Sequence, residues 1–157
     1  MHSNIDLKTV RIEQVTTAGS AKLLKFIKAY YRFEGISFDL KSISADLPHL
    51  LCDPILGRAW FIWVNRRRVG YVIVTFGFDL EFGGRVATVT ELYIEPLHRR
   101  KGIGTLVLGQ IEEFCKAFGV RAMELQVTRK NAKVIKFYRR LGFDAHDRIP
   151  MSKRIAR

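Results

Sequence analysis

The sequence is short of cysteine and of long apolar runs. Its 157 residues include two cysteines, Cys52 and Cys115, whose spacing fits neither a CxxC metal pair nor a disulfide framework. His49 lies three residues before Cys52, but two ligands do not complete a metal site. The longest apolar run, residues 59–64, is far too short to span a bilayer. We therefore expect reduced, buried thiols, no metal and no membrane partner.

The amino terminus also lacks the apolar stretch of a signal peptide, which favours a cytoplasmic location. Proline is scarce, with four residues, and no low-complexity segment or internal repeat is present. Hydrophobic residues make up 48% of the chain and charged residues 27%, as in ordinary globular proteins. At this length, one domain covering residues 1–157 is expected.

Acidic residues are few in the last third of the chain. The formal net charge is +12, yet residues 1–96 hold 12 Lys/Arg against 10 Asp/Glu, whereas residues 97–157 hold 15 against 5. This asymmetry indicates an anionic partner on the carboxyl-terminal side. Nucleic acid, an acidic membrane and a polyphosphate-bearing small molecule all fit that description.

The hydrophobic periodicity predicts a mixed α/β fold. Residues with period-two alternation or β-branched and aromatic enrichment alternate with stretches of helical spacing. The predicted order is β-α-α-β-β-β-α-β-α-β: strand 9–16, helix 21–35, a shorter helical region 40–54 broken near Pro48, strands 57–64, 69–80 and 86–96, helix 101–118, strand 120–127, helix 131–142 and a last strand 143–155. The β-α-β unit at 86–128 should be a right-handed parallel crossover, and the rest of the sheet mostly antiparallel.

The stretch that precedes the third of these helices is unusual. His98, Arg99, Arg100 and Lys101 lie at a predicted helix start, where the helix macrodipole is already positive. An anion bound to the free N–H groups of that end would make the cations favourable, and two nearby glycines would let it approach the backbone. Neither a Walker phosphate loop nor a three-glycine dinucleotide motif is present. The stretch therefore predicts a pyrophosphate site of another kind.

Two motifs in this order resemble the GNAT superfamily of N-acyltransferases. Residues 99–104, RRKGIG, are similar to its cofactor motif (Gln/Arg)-x-x-Gly-x-(Gly/Ala). Residues 131–143, NAKVIKFYRRLGF, are similar to its second motif, an Asn with a Tyr seven residues on and then Leu-Gly-Phe. The resemblance implies the GNAT fold and transfer of an acetyl group from acetyl-CoA to a primary amine.

The same resemblance implies where coenzyme A would be bound. Backbone amides of residues 100–105 would hold the pyrophosphate, the strand residues 92–94 would pair with the pantetheine arm, and Asn131 would bond that arm. The full set of expected cofactor-binding residues is Leu92, Tyr93, Ile94, Arg99, Arg100, Lys101, Gly102, Ile103, Gly104, Thr105 and Asn131.

Catalytic and acceptor residues are implied in the same way. Glu91 or Glu81, through a water molecule, would take the proton of the attacking amine, and Tyr138 would protonate the departing thiolate. The acceptor would enter beside the first helices and the turn near residue 81. The expected acceptor-binding residues are Tyr31, Phe33, Glu34, Phe38 and Glu81.

Two other functions remain open at this point. The basic last third of the chain also fits a nucleic-acid-binding module, although no RRM aromatic motif or zinc spacing accompanies it. A non-catalytic acyl-CoA sensor of the same fold would carry the same cofactor motif. The acceptor is equally open: a small amine, an amino acid, an aminoglycoside-like drug, or a peptide terminus or lysine. Neither the acyl length nor a homodimeric state is specified.

Overall fold

The computed structural model describes residues 5–155. They separate into two compact units, one ending at Gln126 and one beginning at Val127. The single domain expected from the sequence stays a prediction, and each unit is described by itself.

The first unit is built on one five-stranded sheet. Its strands lie in sequence order, and each neighbouring pair is antiparallel except the last, β4 and β5, which is parallel. The bounds are β1 Val10–Gln14, β2 Gly57–Val64, β3 Arg67–Asp79, β4 Gly84–Ile94 and β5 Val120–Leu125. The expected mixed sheet with a single parallel unit is confirmed.

Three helices pack on this sheet. Helices α1, Ser20–Glu34, and α2, Leu40–Cys52, lie between β1 and β2 in the chain, and α3, Ile103–Ala117, joins β4 to β5. Phe61 belongs to the buried cluster of α1, whereas its neighbour Trp60 contacts Phe114 of α3 at 5.0 Å between ring centroids. Because successive strand side chains point to opposite faces, α1 and α3 cover opposite faces of the sheet.

The break expected near Pro48 is wrong. Helix α2 runs through this proline, and the N–H of Asp53 donates to the carbonyl of His49 beyond it. A proline removes one helical hydrogen bond rather than all of them. The side chain of Asp39 accepts from the N–H groups of Lys41 and Ser42, which fixes the start of the helix.

Strand β4 carries a bulge in its second half. Glu91 lies opposite Ile73 and Val89 lies opposite Val74, so Thr90 is an extra residue in β4. The pairing of β4 with β5 ends at Val89 and Leu125. The last five residues of β4, 90–94, therefore have no β5 partner, and this part of the strand is an open edge.

The second unit contains helix α4, Ala132–Arg139. The strand expected over residues 143–155 is not formed in the part of the chain that the structure describes. Beyond Phe143, the apolar side chains of that segment bury little, since Ile149 is 70% exposed and Met151 is 92% exposed. Residues that favour a strand do not form one by themselves, because strand preference depends on packing against neighbours.

Candidate active site

The connection from β4 to α3 is a tight loop with two left-handed residues. After a 3-10 turn, Pro96–His98, the backbone φ of Arg100 is +59° and that of Gly102 is +80°. Such residues turn successive N–H groups toward one point, a conformation that suits anions. A Cβ on Gly102 would meet only the Leu7 side chain at 3.5 Å, so the positive φ, not crowding, favours glycine here.

The N–H groups of this loop are available as donors. The first α3 bond into the loop is from Leu106 N–H to the carbonyl of Gly102. Within residues 5–155, no N–H group of residues 100–105 donates to a protein acceptor. Since they lie at the positive end of α3, these donors fit a pyrophosphate. Residues 99–105 are called the glycine loop below.

Arg99 fastens the glycine loop to β4. Its Nε donates to the carbonyl of Ile94 at 2.6 Å, and its guanidinium lies 4.0 Å from the ring centroid of Phe33 and 5.4 Å from that of Tyr93. The side chain expected to face the cofactor is therefore held by protein groups. Phe33, expected as an acceptor residue, is 59% exposed beneath it.

The three residues expected to bind pantetheine do not all direct their backbone groups to the open edge of β4. The N–H of Glu95 donates to the carbonyl of Val69 on β3. Backbone hydrogen-bonding directions alternate along an antiparallel strand. The N–H and carbonyl of Tyr93 therefore also point toward β3, whereas those of Leu92 and Ile94 point toward the open edge. The Ile94 carbonyl accepts from Arg99, so the Leu92 backbone and the Ile94 N–H are the groups of these residues that remain for a ligand.

Glu91 lies at the start of this edge, between two tyrosines. Tyr71 donates to its Oε2 at 2.5 Å and Tyr31 to its Oε1 at 3.1 Å. Burial raises the pKa of the Glu91 carboxyl, and the two hydrogen bonds lower it in part. The Glu91 carboxylate can therefore take up a proton at a pH above the ordinary range for carboxyl groups.

The two tyrosines remain protonated donors. Burial, with the negative charge of Glu91, raises the pKa of Tyr31 to about 12 and raises that of Tyr71 as well. Phe38 packs edge-on against Tyr31 at 5.9 Å between centroids, which brings two expected acceptor residues to this carboxylate. The sequence analysis missed Tyr71, because a tyrosine in a buried strand looks like a core residue. Only the pairing of β3 with β4 shows its role.

The other acidic candidates lie elsewhere. Glu81 is in the turn between β3 and β4, where its N–H donates to the Asp79 carboxylate. The seven residue steps of strand from Gly84 to Glu91 span about 23 Å, so Glu81 and Glu91 do not share one reaction centre. Glu34 is exposed in the last position of α1.

In the second unit, the expected residues lie on or next to α4. The side chain of Asn131 caps the helix by accepting from the N–H of Val134 at 3.3 Å, which leaves its amide NH₂ as a donor. Burial raises the pKa of the Tyr138 hydroxyl, and its ring packs edge-on against Phe143 at 5.6 Å. A hydroxyl of this kind stays protonated at neutral pH.

The thiols and metal ligands add no further site. Cys115 is buried, and burial raises its pKa to about 11, whereas Cys52 is exposed, contrary to expectation. Among residues 5–155, no three His, Cys, Asp or Glu side chains are grouped as a metal site. Nor does any helix of that range have the length and apolar character to cross a membrane.

An open strand edge that leads into a loop of free amides is an arrangement that suits an extended, pyrophosphate-containing ligand. The sequence profile of the acetyltransferase (GNAT) family matches residues 23–143. The chain therefore belongs to this family, and the similarity of its motifs to the superfamily is confirmed.

Three similar proteins agree with this assignment. An uncharacterized N-acetyltransferase of Methanocaldococcus jannaschii is 37% identical over 82 residues, which is 52% of this chain and 36% of that protein. The chain thus spans about a third of that relative's length. The crystal structure of an integron cassette protein from a salt-marsh metagenome superposes on this chain with a TM-score of 0.81 and 26% sequence identity. The match covers 96% of this chain and 93% of the cassette protein. The structure of AAC(6')-Iy in complex with the bisubstrate analogue CoA-S-monomethyl-acetylneamine has a TM-score of 0.79 and 15% sequence identity. The match covers 94% of this chain and 99% of AAC(6')-Iy.

Proposed function

We propose that this protein transfers an acetyl group from acetyl-CoA to a primary amine by direct attack, with both substrates bound together. One observation carries the proposal. A single segment, residues 91–105, supplies a partly buried carboxylate, then an open strand edge, then a loop of free amides. A proton acceptor, a backbone edge and an anion site follow one another in the order that this transfer needs.

The residues for coenzyme A fit that ligand. The amides of residues 100–105 would bind the pyrophosphate, with Arg100 and Lys101 adding positive charge. The Leu92 backbone would bond the pantetheine arm, and the family motif assigns a further bond to Asn131. When bound, acetyl-CoA supplies an acyl thioester that is activated toward amines. AAC(6')-Iy, with its CoA-containing analogue, supports this choice of ligand through the shared fold.

The side chains of the protein move two protons. An alkylammonium has a pKa of about 10, so it must lose a proton before it attacks. Glu91 takes up that proton, directly or through water, while the N–H of Leu92 polarises the acyl carbonyl. As the new C–N bond forms and the C–S bond breaks, the Tyr138 hydroxyl protonates the leaving thiolate. Glu91 is preferred over Glu81 because Glu81 is far from this edge.

The acceptor is an amine on a small molecule or a peptide. Tyr31 and Phe38 form an aromatic wall beside Glu91, which suits an apolar body next to the amine. The identity of the M. jannaschii relative as an N-acetyltransferase supports nitrogen as the attacking atom.

The deciding experiment is a thiol-release assay with acetyl-CoA against a panel of amines. Release that depends on both acetyl-CoA and an amine is expected. A parallel measurement of thermal unfolding should show stabilisation by coenzyme A but not by NAD or ATP. Stabilisation by coenzyme A with no release from any amine would indicate a sensor, and the absence of both effects would overturn the cofactor site as well.

A further inference from the structure

A basic cavity lies on the α1 face of the sheet, beside the segment 91–105. Its volume is about 490 Å³. Lys22 and Lys25 of α1 line one side, and the arginines at 66–68, from the turn into β3, line another. Tyr93 and Glu95 of β4 also border it. The fold thus places the arginines at 66–68 opposite a helix that carries further cations.

The carboxylates near the cavity do not neutralise it. Arg67 Nη2 lies 2.9 Å from Oε2 of Glu95, and Arg68 Nη2 lies 3.7 Å from Oε1 of Glu13. Within residues 5–155, no ion pair engages Lys22, Lys25 or Arg66. Three cations without counter-charge thus converge on a concave surface, where like charges repel one another. An anion is the ligand that such a surface favours.

Two buried donors of the lining residues also lack an acceptor. Arg68 Nε and Trp63 Nε1 are inaccessible to solvent, and neither has a hydrogen-bond partner among the residues that the structure describes. The Arg68 guanidinium stacks over the Trp63 ring at 4.6 Å, so the two groups are held together. Because both nitrogens are closed to solvent, a ligand in the cavity would meet the outer part of the Arg68 guanidinium rather than these two donors.

The cavity is close to Glu91. Tyr93, which borders it, is two residues from Glu91 on the same face of β4, about 7 Å along the strand. The Tyr93 ring lies 6.2 Å from the ring of Tyr71, whose hydroxyl donates to Glu91. A molecule of modest length could therefore reach from the basic cavity to this carboxylate.

We propose that the basic cavity binds an oxyanion, a carboxylate or a phosphate, on the same acceptor molecule whose amine is acetylated. The inference rests on the proposed function and names its substrate class: an amine separated by several bonds from an anionic group. Arginine presents paired N–H donors that match both kinds of oxyanion. A polycationic acceptor, such as an aminoglycoside-like drug, would be repelled by the same residues.

Anion binding is tested without catalysis. Intrinsic tryptophan fluorescence, to which Trp63 beside the cavity and Trp60 both contribute, is followed on titration with inorganic phosphate and with succinate. Excess coenzyme A is present so that the glycine loop is occupied. The wild type is compared with the double variant Lys25→Gln/Arg66→Gln. Lys28→Gln is the matched control, because Lys28 is exposed on the same helix but does not line the cavity. We expect saturable binding that the double variant loses and the control retains.

Substrate class is tested by acetyl transfer to ω-amino carboxylic acids of increasing length, O-phosphorylated amino alcohols and matched uncharged alkylamines. For the preferred anionic acceptor, the double variant should raise KM roughly tenfold or more while kcat is kept, since a hydrogen bond to a charged group is worth that much. KM for alkylamines should not change. The two anionic series distinguish carboxylate from phosphate.

The outcomes separate this inference from the proposed function. Anion binding that depends on Lys25 and Arg66, without acetyl transfer to any amine, would support the anion site and overturn the enzymatic proposal. Acetyl transfer that favours uncharged amines, or anion binding that is equal in the wild type and the double variant, would overturn the inference whatever the activity.

Discussion

The hydroxyl of Tyr71 donates to Oε2 of Glu91 at 2.5 Å across neighbouring strands. Tyr71 is completely buried, so this donor is fixed in position by the core. Tyr31 supplies a second donor from α1. Together they hold the Glu91 carboxylate at the open edge of β4. Their hydrogen bonds favour its ionised form and offset part of the cost of burying the charge. The predictions on Glu91 follow from this arrangement.

Replacement of Glu91 by Gln should lower kcat by roughly 10²- to 10⁴-fold, the usual contribution of a general base. Coenzyme A should still stabilise the variant, because the glycine loop is unchanged. Steady-state kinetics with the best amine, together with thermal unfolding, provide the measurement. A variant with full activity would contradict the role of Glu91, and Glu81→Gln is the matched comparison.

The same variant should change the pH dependence of stability. Burial raises the pKa of Glu91 in the folded state above its ordinary value, so the folded protein binds this proton more tightly than the unfolded chain. The stability that this proton contributes is present at low pH and is lost as the pH rises through the raised pKa. As the pH rises above the ordinary carboxyl range, the melting temperature of Glu91→Gln should therefore improve relative to wild type. Parallel curves for the two proteins would contradict the shift.

Removal of the Tyr71 hydroxyl should shift the pH-rate profile. The hydrogen bond from Tyr71 lowers the pKa of Glu91, so Tyr71→Phe should raise it further and move the acidic limb of kcat/KM to higher pH. Tyr31→Phe should move the limb in the same direction by less, because its hydrogen bond is longer. Loss of activity without any movement of the limb would indicate a purely structural effect.

Substitution of Gly102 should weaken coenzyme A binding beyond its cost in stability. A left-handed backbone costs an alanine roughly 1–2 kcal/mol. Gly119 provides the control, because its φ of +75° is similar and an added Cβ there would meet nothing within 4 Å. Gly102→Ala and Gly119→Ala should destabilise to a similar degree, but only Gly102→Ala should raise the Kd for coenzyme A. Equal Kd values would argue against the glycine loop as the pyrophosphate site.

Tyr138→Phe should lower kcat and leave the affinity for coenzyme A unchanged. Burial raises the pKa of this hydroxyl, so wild-type Tyr138 remains a proton donor at neutral pH. The loss of kcat in this variant should be smaller with an acetyl thioester donor whose leaving thiol is more acidic. The thiolate of such a donor departs more readily without receiving a proton. An equal loss with both donors would place the effect in packing against Phe143 rather than in proton transfer.

Much of the fold and the glycine loop could be predicted from the sequence, because both depend on local rules. The periodicity of each segment sets helix or strand, and the motif RRKGIG places a positive-φ glycine and free amides at a helix start. The exceptions follow from context. Helix α2 tolerates Pro48, and residues 143–155 do not form the expected strand.

The sequence by itself determined the family, the order of the elements and the loop that can receive a pyrophosphate, since neighbouring residues suffice to specify a turn and a helix terminus. The tertiary structure alone decided which carboxylate is partly buried and held. It also decided that three arginines at the start of β3 meet two lysines of α1 around a cavity. Glu91 is 20 residues from Tyr71 and 60 from Tyr31, and such contacts come only from strand register and helix packing, which bring distant residues together.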